Sequence, residues 1–292
     1  MLPGIVKGEI SNWRETTLEN KFIPATSVNS GKMVEIQPDL QMYTVQIVNL
    51  FFVGSRGDWV LVDAGMPQSA EEIVQEAEKL FGEGAKPKAI VLTHGHFDHV
   101  GALEELIQRW DVDVYAHEQE LPFLTGKQDY PKPDASVEGG MVAKISPMFP
   151  HEAIDISGRV HALPADGTVP PMPGWEWIHT PGHSPGHVSL FRPSDKVLLA
   201  GDAFVTVKQD ALYNVLTQKK EFQGPPRYLT TDWQAAKQSV IRLAELQPDI
   251  AATGHGEEAR GEELRDGLAY LVNEFDQIAI PDYGRYVEDN DK

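Results

Sequence analysis

The stretch THGHFDH, residues 93–99, places three histidines and one aspartate within six residues, directly behind the apolar run AIVL. Such a run is typical of a short buried strand. The residues that follow have the spacing of an amphipathic helix whose apolar face would carry Val100, Leu103, Leu106, Ile107 and Trp110. The cluster is therefore predicted to lie on a loop between a strand and a helix.

The chemistry of this cluster indicates a metal site. Alternate residues of an extended segment point the same way, so His94 and His96 are expected to converge, with Asp98 and His99 following as the helix begins. Imidazole nitrogen and carboxylate oxygen suit zinc, iron and manganese. A single buried histidine is usually a packed core residue, but four ligand-type groups in six positions need another explanation.

Three further ligand-type residues stand beside glycine at the ends of predicted strands. They are His183 in TPGHSPGH, Asp202 in LLAGDA and His255 in ATGHG. Strand ends are where open α/β proteins assemble their sites. Each residue alone could be a turn aspartate or a surface histidine, but their joint occurrence favours one shared site. Since the chain contains no cysteine, any metal must be held by nitrogen and oxygen.

The rest of the sequence alternates strands and helices, which predicts a mixed α/β fold. MYTVQIVNLFFVG and DWVLVDAG read as two strands joined by the turn GSRG. SAEEIVQEAEKLFGEG reads as an amphipathic helix, with Ser69 and Glu72 as a capping box and Gly82 as its end. No repeat or low-complexity linker marks a boundary, so we expect one domain over residues 1–292.

Two long segments, residues 120–154 and 205–231, lack a strong period and contain several prolines. Segments of this kind often cover active sites, but irregular surface loops are an equally good interpretation. Both interpretations stay open at the level of sequence.

Composition narrows the classes of partner. With 44 acidic and 25 basic residues the net charge is −19, so the field of the protein would repel phosphate backbones and anionic lipids. We expect a small-molecule substrate and no binding to nucleic acid or membranes. The first residues lack a basic region followed by an apolar run, and no apolar run approaches about 18 residues. The expected location is therefore cytoplasmic.

The ordered set THGHFDH, TPGHSPGH, GD and GH, preceded by VLVDAG, resembles the metallo-β-lactamase superfamily across roughly residues 49–256. The resemblance implies a four-layer αβ/βα sandwich, with two central mixed sheets, flanking helices and a binuclear site at one edge. It also implies the ligands. One metal would be held by His94, His96 and His183, the second by Asp98, His99 and His255, and Asp202 would bridge them.

The resemblance assigns roles around the ligands as well. Asp63 in VLVDAG matches an aspartate that orients the metal-binding loop, and His187 is expected to orient or pack because the ligand places are filled. N-acyl homoserine lactonases are similar in TPGHSPGH, but they carry a tyrosine three residues after the bridging aspartate, where this chain has Val205. Tyr213 and Tyr228 are the candidates for stabilising an oxyanion instead.

The implied activity is hydrolysis of a carboxylic ester, lactone or thioester, as in glyoxalase II and the lactonases. Two divalent ions, most simply zinc, would lower the pKa of a shared water, and Asp98 would relay a proton to the leaving group. Iron or manganese fits the same ligands. A true β-lactamase is disfavoured because those enzymes have cysteine or serine at the position of Asp202.

The alternative is an iron-dependent oxidoreductase, either a persulfide dioxygenase or a flavodiiron protein. A mononuclear dioxygenase needs only His94, His183 and Asp202, so retention of the other four ligand-type residues favours two metals. Homodimers are common among relatives, and a homodimer is expected here by that analogy alone.

Overall fold

The computed structural model describes residues 26–138, 140–207 and 218–287. Its first half forms a seven-stranded sheet in which the strands lie side by side in chain order. They are β1 (Met33–Gln37), β2 (Leu40–Val45), β3 (Val48–Ser55), β4 (Asp58–Val62), β5 (Ala89–Val91), β6 (Asp113–Ala116) and β7 (Val160–Ala162). Pairings from β1 to β4 are antiparallel, and those from β4 to β7 are parallel.

The second half forms a five-stranded mixed sheet and a two-stranded ribbon. The strands are β8 (Glu176–His179), β9 (Val188–Arg192), β10 (Val197–Leu199), β11 (Val205–Val207), β12 (Lys220–Gln223), β13 (Ile250–Ala252) and β14 (Ala259–Arg260). The larger sheet has the order β14-β13-β10-β9-β8, and β11 pairs with β12. Only β10 and β13 are parallel among the pairs of this larger sheet as far as the structure describes it.

Helices flank both sheets. In chain order they are α1 (Ala70–Phe81), α2 (Phe97–Val100), α3 (Leu103–Trp110), α4 (Leu121–Leu124), α5 (Met141–Ile145), α6 (Trp233–Glu245), α7 (Gly261–Asn273) and α8 (Phe275–Ile278). Short 3₁₀ turns lie at Glu118–Glu120 and Ser146–Met148. None of the helices in the described ranges is both long and apolar enough to cross a bilayer.

The core shows why the chain forms four layers. Successive residues of a strand face opposite sides, and in β4 Leu61 packs with α1 and α3 while Val62 packs towards the second sheet. In β10, Leu199 faces the first sheet and Leu198 packs with α6 and α7. The order helix, sheet, sheet, helix confirms the expected αβ/βα sandwich.

One predicted strand is two. Residues 42–54 contain the end of β2, a tight turn and most of β3, because Gln46 adopts a left-handed conformation with φ of 58°. The flanking residues Val45 and Val48 pair directly across this turn. The prediction was wrong here because the Gln46–Ile47 pair is not among the Asn-Gly or Asp-Gly pairs that usually mark a two-residue turn.

The helix predicted behind the histidine cluster is also divided, into α2 and α3. A side chain at Gly101 would overlap the backbone of Met66 and Pro67, so the chain passes close to that segment at the break. The predicted capping box of α1 is wrong as well. The Ser69 hydroxyl donates to the carbonyl of Met66 at 2.7 Å, whereas the predicted end of α1 at residue 82 is confirmed.

Candidate metal centre

The structure brings together all seven side chains that the sequence analysis assigned to metals. Their ligand-type atoms form three overlapping groups, and within each group the atoms lie within 4.8 Å of one another. All seven side chains are buried. The groups are His94, His96 and His183; His94, His99 and Asp202; and Asp98, His99 and His255.

The ends of the strands position these side chains at one edge of the sandwich. The loop after β5 carries His94 and His96, and α2 begins directly behind it with Asp98 and His99 in its single turn. His183 lies on the connection between β8 and β9, Asp202 follows β10, and His255 follows β13. The loop location predicted for the cluster is therefore the observed one.

One half of the centre consists of His94, His96 and His183 and is called the three-histidine half. Its ring nitrogens face one another. His96 Nδ1 and His183 Nε2 are 3.0 Å apart. The hydroxyl of Thr230 donates to the carbonyl of Pro226, so it accepts from His183 Nδ1 at 3.3 Å and leaves Nε2 of that ring unprotonated. Burial lowers the pKa of His96 to about 4 and that of His183 far below its ordinary value. Both rings are therefore neutral and able to donate electron pairs to a cation.

His94 is held in the same way. The hydroxyl of Thr93 donates to Asp63 at 2.8 Å, so it accepts from His94 Nδ1 at 3.1 Å. The other ring nitrogen of His94, Nε2, is buried and has no hydrogen-bond partner. Burial lowers the pKa of His94 well below its ordinary value, which keeps this ring neutral.

The second half of the metal centre combines His99 and His255 with the carboxylates of Asp98 and Asp202. His255 Nε2 lies 3.3 Å from Asp98 Oδ2, and His99 Nε2 lies 4.0 Å from the same oxygen. The outer nitrogen of His255 bonds to the carbonyl of Ile47 at 2.8 Å. Although burial opposes it, Asp202 and Asp98 raise the pKa of His255 to about 10, because the two carboxylates attract positive charge to this point.

Asp202 lies between the two halves. Its Oδ2 is 3.2 Å from His255 Nε2 and 3.4 Å from His183 Nε2, and its Oδ1 is 3.5 Å from His99 Nε2. Burial would raise the pKa of Asp202, but the facing histidines hold it well below its ordinary value. This carboxylate stands where a bridging ligand is expected.

Unpartnered atoms test whether these residues fit a metal. Four buried atoms at this centre have no hydrogen-bond partner: His94 Nε2, Asp98 Oδ1, His99 Nε2 and Asp202 Oδ1. Over the described ranges, just one other buried side-chain atom shares that condition, Oε1 of Gln46. An unsatisfied buried polar atom costs about 1–3 kcal/mol, and bound cations would offset that cost. The donor set therefore fits divalent metal ions.

Asp63 and His187 support the centre from outside. Asp63 has φ of 61°, and its fully buried carboxylate accepts from the Thr93 backbone at 2.8 Å and bonds to His99 Nδ1 at 2.8 Å. It thereby joins the loop after β5 to one predicted ligand. His187 Nε2 accepts from the backbone N–H of Asp202.

Asn49 supports the loop that carries His255, and the sequence analysis gave it no role. Its backbone N–H donates to Gly254 O at 2.7 Å, and its side-chain amide donates to Thr253 O at 2.9 Å and to Gly256 O at 2.7 Å. The available signal was one amide within the otherwise apolar run VNLFFV, residues 48–53 of strand β3.

The two long segments differ in what the structure describes. Within residues 120–154, the ring of Tyr130 lies 4.5 Å from that of His96, and Phe149 lies 5.3 Å from Phe97. This segment therefore borders the centre, while its action as a lid stays a prediction. Within residues 205–231, Tyr228 is buried against Phe149.

The two tyrosines proposed for an oxyanion have different outcomes. Tyr213 lies outside the described residues. Tyr228 belongs to an apolar cluster with Val137, Val142, Ala143 and Leu229, and its contact with substrate stays a prediction.

A model of the metallo-beta-lactamase superfamily matches residues 43–255. The chain belongs to the metallo-β-lactamase superfamily. The probable metallo-hydrolase YflN of Bacillus subtilis (strain 168) is 49% identical over 264 residues, which cover 89% of this chain and 100% of YflN. The hydroxyacylglutathione hydrolase GloC of Haemophilus influenzae is 30% identical over 142 residues, 49% of this chain and 59% of GloC.

Solved structures of metallo-β-lactamase proteins share the fold. The B3 metallo-beta-lactamase BLEG-1 superposes with a TM-score of 0.55 at 24% identity, covering 82% of this chain and 98% of that one. A beta-lactamase domain protein from Burkholderia ambifaria gives a TM-score of 0.58 at 19% identity, covering 88% of this chain and 79% of that one. At these identities the likeness concerns the fold alone.

Proposed function

We propose that this metallo-hydrolase cleaves a carboxylic thioester, ester or lactone of small size at a centre for two divalent metal ions, with zinc as the favoured metal. The observation that carries the proposal is the convergence of seven buried ligand-type side chains into two halves joined by Asp202. The similarity to GloC, a hydroxyacylglutathione hydrolase, supports thioesters within this group. The net charge of −19 supports a small substrate rather than a nucleic acid.

Bound ions would supply a water of lowered pKa and polarise the carbonyl oxygen of the substrate. The chain itself supplies orientation and a proton carrier. Asp98 Oδ1 is buried and unpartnered, while Oδ2 faces His255 at 3.3 Å. Burial raises the pKa of Asp98, but His99 and His255 outweigh it, so the carboxylate is ionised and able to accept a proton. We propose that it accepts a proton from the attacking water and passes this proton to the leaving alkoxide or thiolate, which departs as an alcohol or thiol.

The test combines elemental analysis of protein purified without added metal with a panel of acyl-glutathione thioesters, aryl esters and lactones. We expect about two zinc ions per chain and turnover within one of these carbonyl classes. One iron per chain, with oxygen uptake on a persulfide and no hydrolysis, would instead identify the oxidoreductase alternative.

A matched pair of variants strengthens the test. Asp202→Ala removes the carboxylate between the halves, so we expect both ions to be lost and kcat/KM to fall by about 10³-fold or more, as several kcal/mol of charge stabilisation disappear. Asp134→Asn changes another buried aspartate, which accepts from Ser136 and from the backbone of Arg285. It should retain both ions.

A further inference from the structure

A buried glutamate outside the ligand set connects two metal-binding loops. Glu120 ends the 3₁₀ turn behind β6, and its side chain is 0% exposed. Its Oε1 accepts from the hydroxyl of Ser184 at 2.7 Å and from the backbone N–H of Gly186 at 2.8 Å. Its Oε2 accepts from the backbone N–H of Gly95 at 3.0 Å and from the hydroxyl of Tyr130.

These partners all adjoin the three-histidine half. Gly95 stands between His94 and His96, and Ser184 directly follows His183. One carboxylate therefore ties together the two loops that supply this half, although the loops are far apart in sequence. The second half receives its orientation elsewhere, from Asp63 and from the carbonyl of Ile47.

The two glycines let the loops approach this carboxylate. A Cβ atom at Gly186 would lie 2.7 Å from Cγ of Glu120, and a Cβ atom at Gly95 would lie 2.7 Å from the hydroxyl of Tyr130. Neither position can take a side chain without moving the glutamate or the tyrosine. The glycines of both loops thus share one structural reason, the space needed by this pair.

The pattern of donors favours a carboxylate over an amide, although the backbone N–H of Gly95 also donates to the hydroxyl of Tyr130 at 3.0 Å. Each oxygen of Glu120 receives one backbone N–H, from Gly186 on one side and from Gly95 on the other. Backbone N–H groups cannot reverse their direction, unlike the hydroxyls of Ser184 and Tyr130. An amide of the same shape would therefore direct its NH₂ group at one of the two N–H donors in either orientation.

Tyr130 extends the connection to a predicted ligand. Its hydroxyl meets Glu120 and its ring lies 4.5 Å from the ring of His96. The ring of Tyr130 also stacks on Phe123, with ring centroids 3.9 Å apart. The tyrosine is buried, and Glu120 thus anchors a side chain that contacts the ring of His96.

We propose that Glu120 is a positioning residue that, with Tyr130, sets the metal affinity of the three-histidine half and leaves the second half largely unaffected. The proposal rests on the proposed two-metal centre in one respect, that the three-histidine half takes an ion.

The experiment measures binding of Co²⁺ to chelator-treated protein by calorimetry and by visible absorption, which reports ligand geometry without turnover. His96→Ala and His255→Ala provide reference spectra with one half disabled. We expect Glu120→Gln to lower the affinity for one of the two ions by about 10–100-fold, the usual effect of losing a group that orients a ligand. The Co²⁺ spectrum of Glu120→Gln should therefore resemble that of His96→Ala.

Glu72→Gln is the matched control. Glu72 also accepts from a tyrosine, the hydroxyl of Tyr43 at 2.5 Å, but at helix α1. It should leave both affinities within about twofold of the parent protein. Tyr130→Phe keeps the carboxylate and its two backbone donors, so it should weaken the same ion by less than Glu120→Gln. If Glu120→Gln does not fold, Tyr130→Phe decides the matter on the same measurements.

Two outcomes overturn the proposal: unchanged affinities in folded Glu120→Gln, or equal weakening of both ions. Failure of the two-metal function would look different. If the parent protein binds a single Co²⁺, the two-metal centre is wrong. Glu120 is then tested on that ion alone, and loss of the ion in His96→Ala identifies the half it occupies.

Discussion

The imidazole of His187 accepts a hydrogen bond from the backbone N–H of Asp202 at 2.9 Å through Nε2, and its Nδ1 lies 2.8 Å from the hydroxyl of Thr180. Both ring nitrogens are therefore engaged, although the ring lies only 5.1 Å from that of His94. Burial lowers the pKa of His187 to about 3, so the ring is neutral and accepts the hydrogen bond from the backbone N–H of Asp202 at all ordinary pH values. The ring therefore holds the backbone of Asp202, the predicted bridging ligand.

For His187→Gln we expect two ions per chain at saturating metal, with each affinity reduced by about tenfold because Asp202 loses its backbone anchor. Metal content and competition with a chelator measure this. His117→Gln, at another buried histidine that stacks on His179, should leave both affinities unchanged. Complete loss of one ion from His187→Gln would show that the ring is itself a ligand.

Removing His255 should affect the second half of the metal centre and leave the three-histidine half able to bind an ion. His255→Ala deletes a nitrogen that faces Asp98 and Asp202, while the contact of His96 with His183 persists. We therefore expect one ion to be lost and one to remain bound, with kcat/KM reduced by about 10³-fold if both ions act on the substrate. Elemental analysis after dialysis gives the count. Two retained ions would contradict the assignment of His255.

The metal-free protein should lose stability as pH falls. Burial lowers the pKa of His96 to about 4 and that of His187 to about 3 from 6.5, so the unfolded chain takes up protons that the folded chain excludes. Each histidine then costs about 1.4 kcal/mol per pH unit below pH 6.5. His255, with its pKa raised to about 10, acts in the opposite window: its contribution is complete below pH 6.5 and is lost as pH rises through 10.

Urea unfolding of chelated protein between pH 7.5 and 5 measures this dependence. His187→Gln should flatten the slope by about one proton. His161→Gln, which alters a histidine that is about half exposed, serves as the control. An identical slope in all three proteins would contradict the prediction.

Asn49→Ala should loosen the loop that carries His255. The substitution leaves the carbonyls of Thr253 and Gly256 without their side-chain donor, and we expect a loss of about 2–4 kcal/mol in the free energy of unfolding. The second half should lose more metal affinity than the three-histidine half. Asn29→Ala removes a weaker, partly exposed bond to Glu257 and serves as the control. If Asn49→Ala weakened the binding of both ions equally, or of neither, the result would argue against a role for this amide.

Local sequence was sufficient where chemistry and spacing coincide. The six residues from His94 to His99 predicted both the loop and its convergent ligand-type atoms, because an extended segment entering a helix allows few other arrangements. Apolar runs such as WVLV in β4 and VLL in β10 likewise predicted the strands that form the two sheet cores.

Features that depend on distant parts of the chain could not be predicted in this way. The turn at Gln46, whose backbone bonds to the hydroxyls of Ser27 and Ser30, and the break at Gly101 involve contacts that local propensity does not encode. The role of Glu120 depends on loops that come together only in the fold, and HEQE resembles any solvated acidic turn. Asn49 is the exception, since a buried amide in an apolar strand is visible in sequence.

The bonds from Asn49 to Thr253 and Gly256 also concern biosynthesis, because they join residues more than 200 positions apart. A chain still on the ribosome presents the cluster of Asp98 and His99 roughly ten seconds or more before His255 is made. Until then, the second half of the metal centre lacks both the side chain of His255 and the loop that holds it. We therefore expect a nascent or truncated chain to bind the proposed second ion weakly, and full metal loading to require the finished polypeptide.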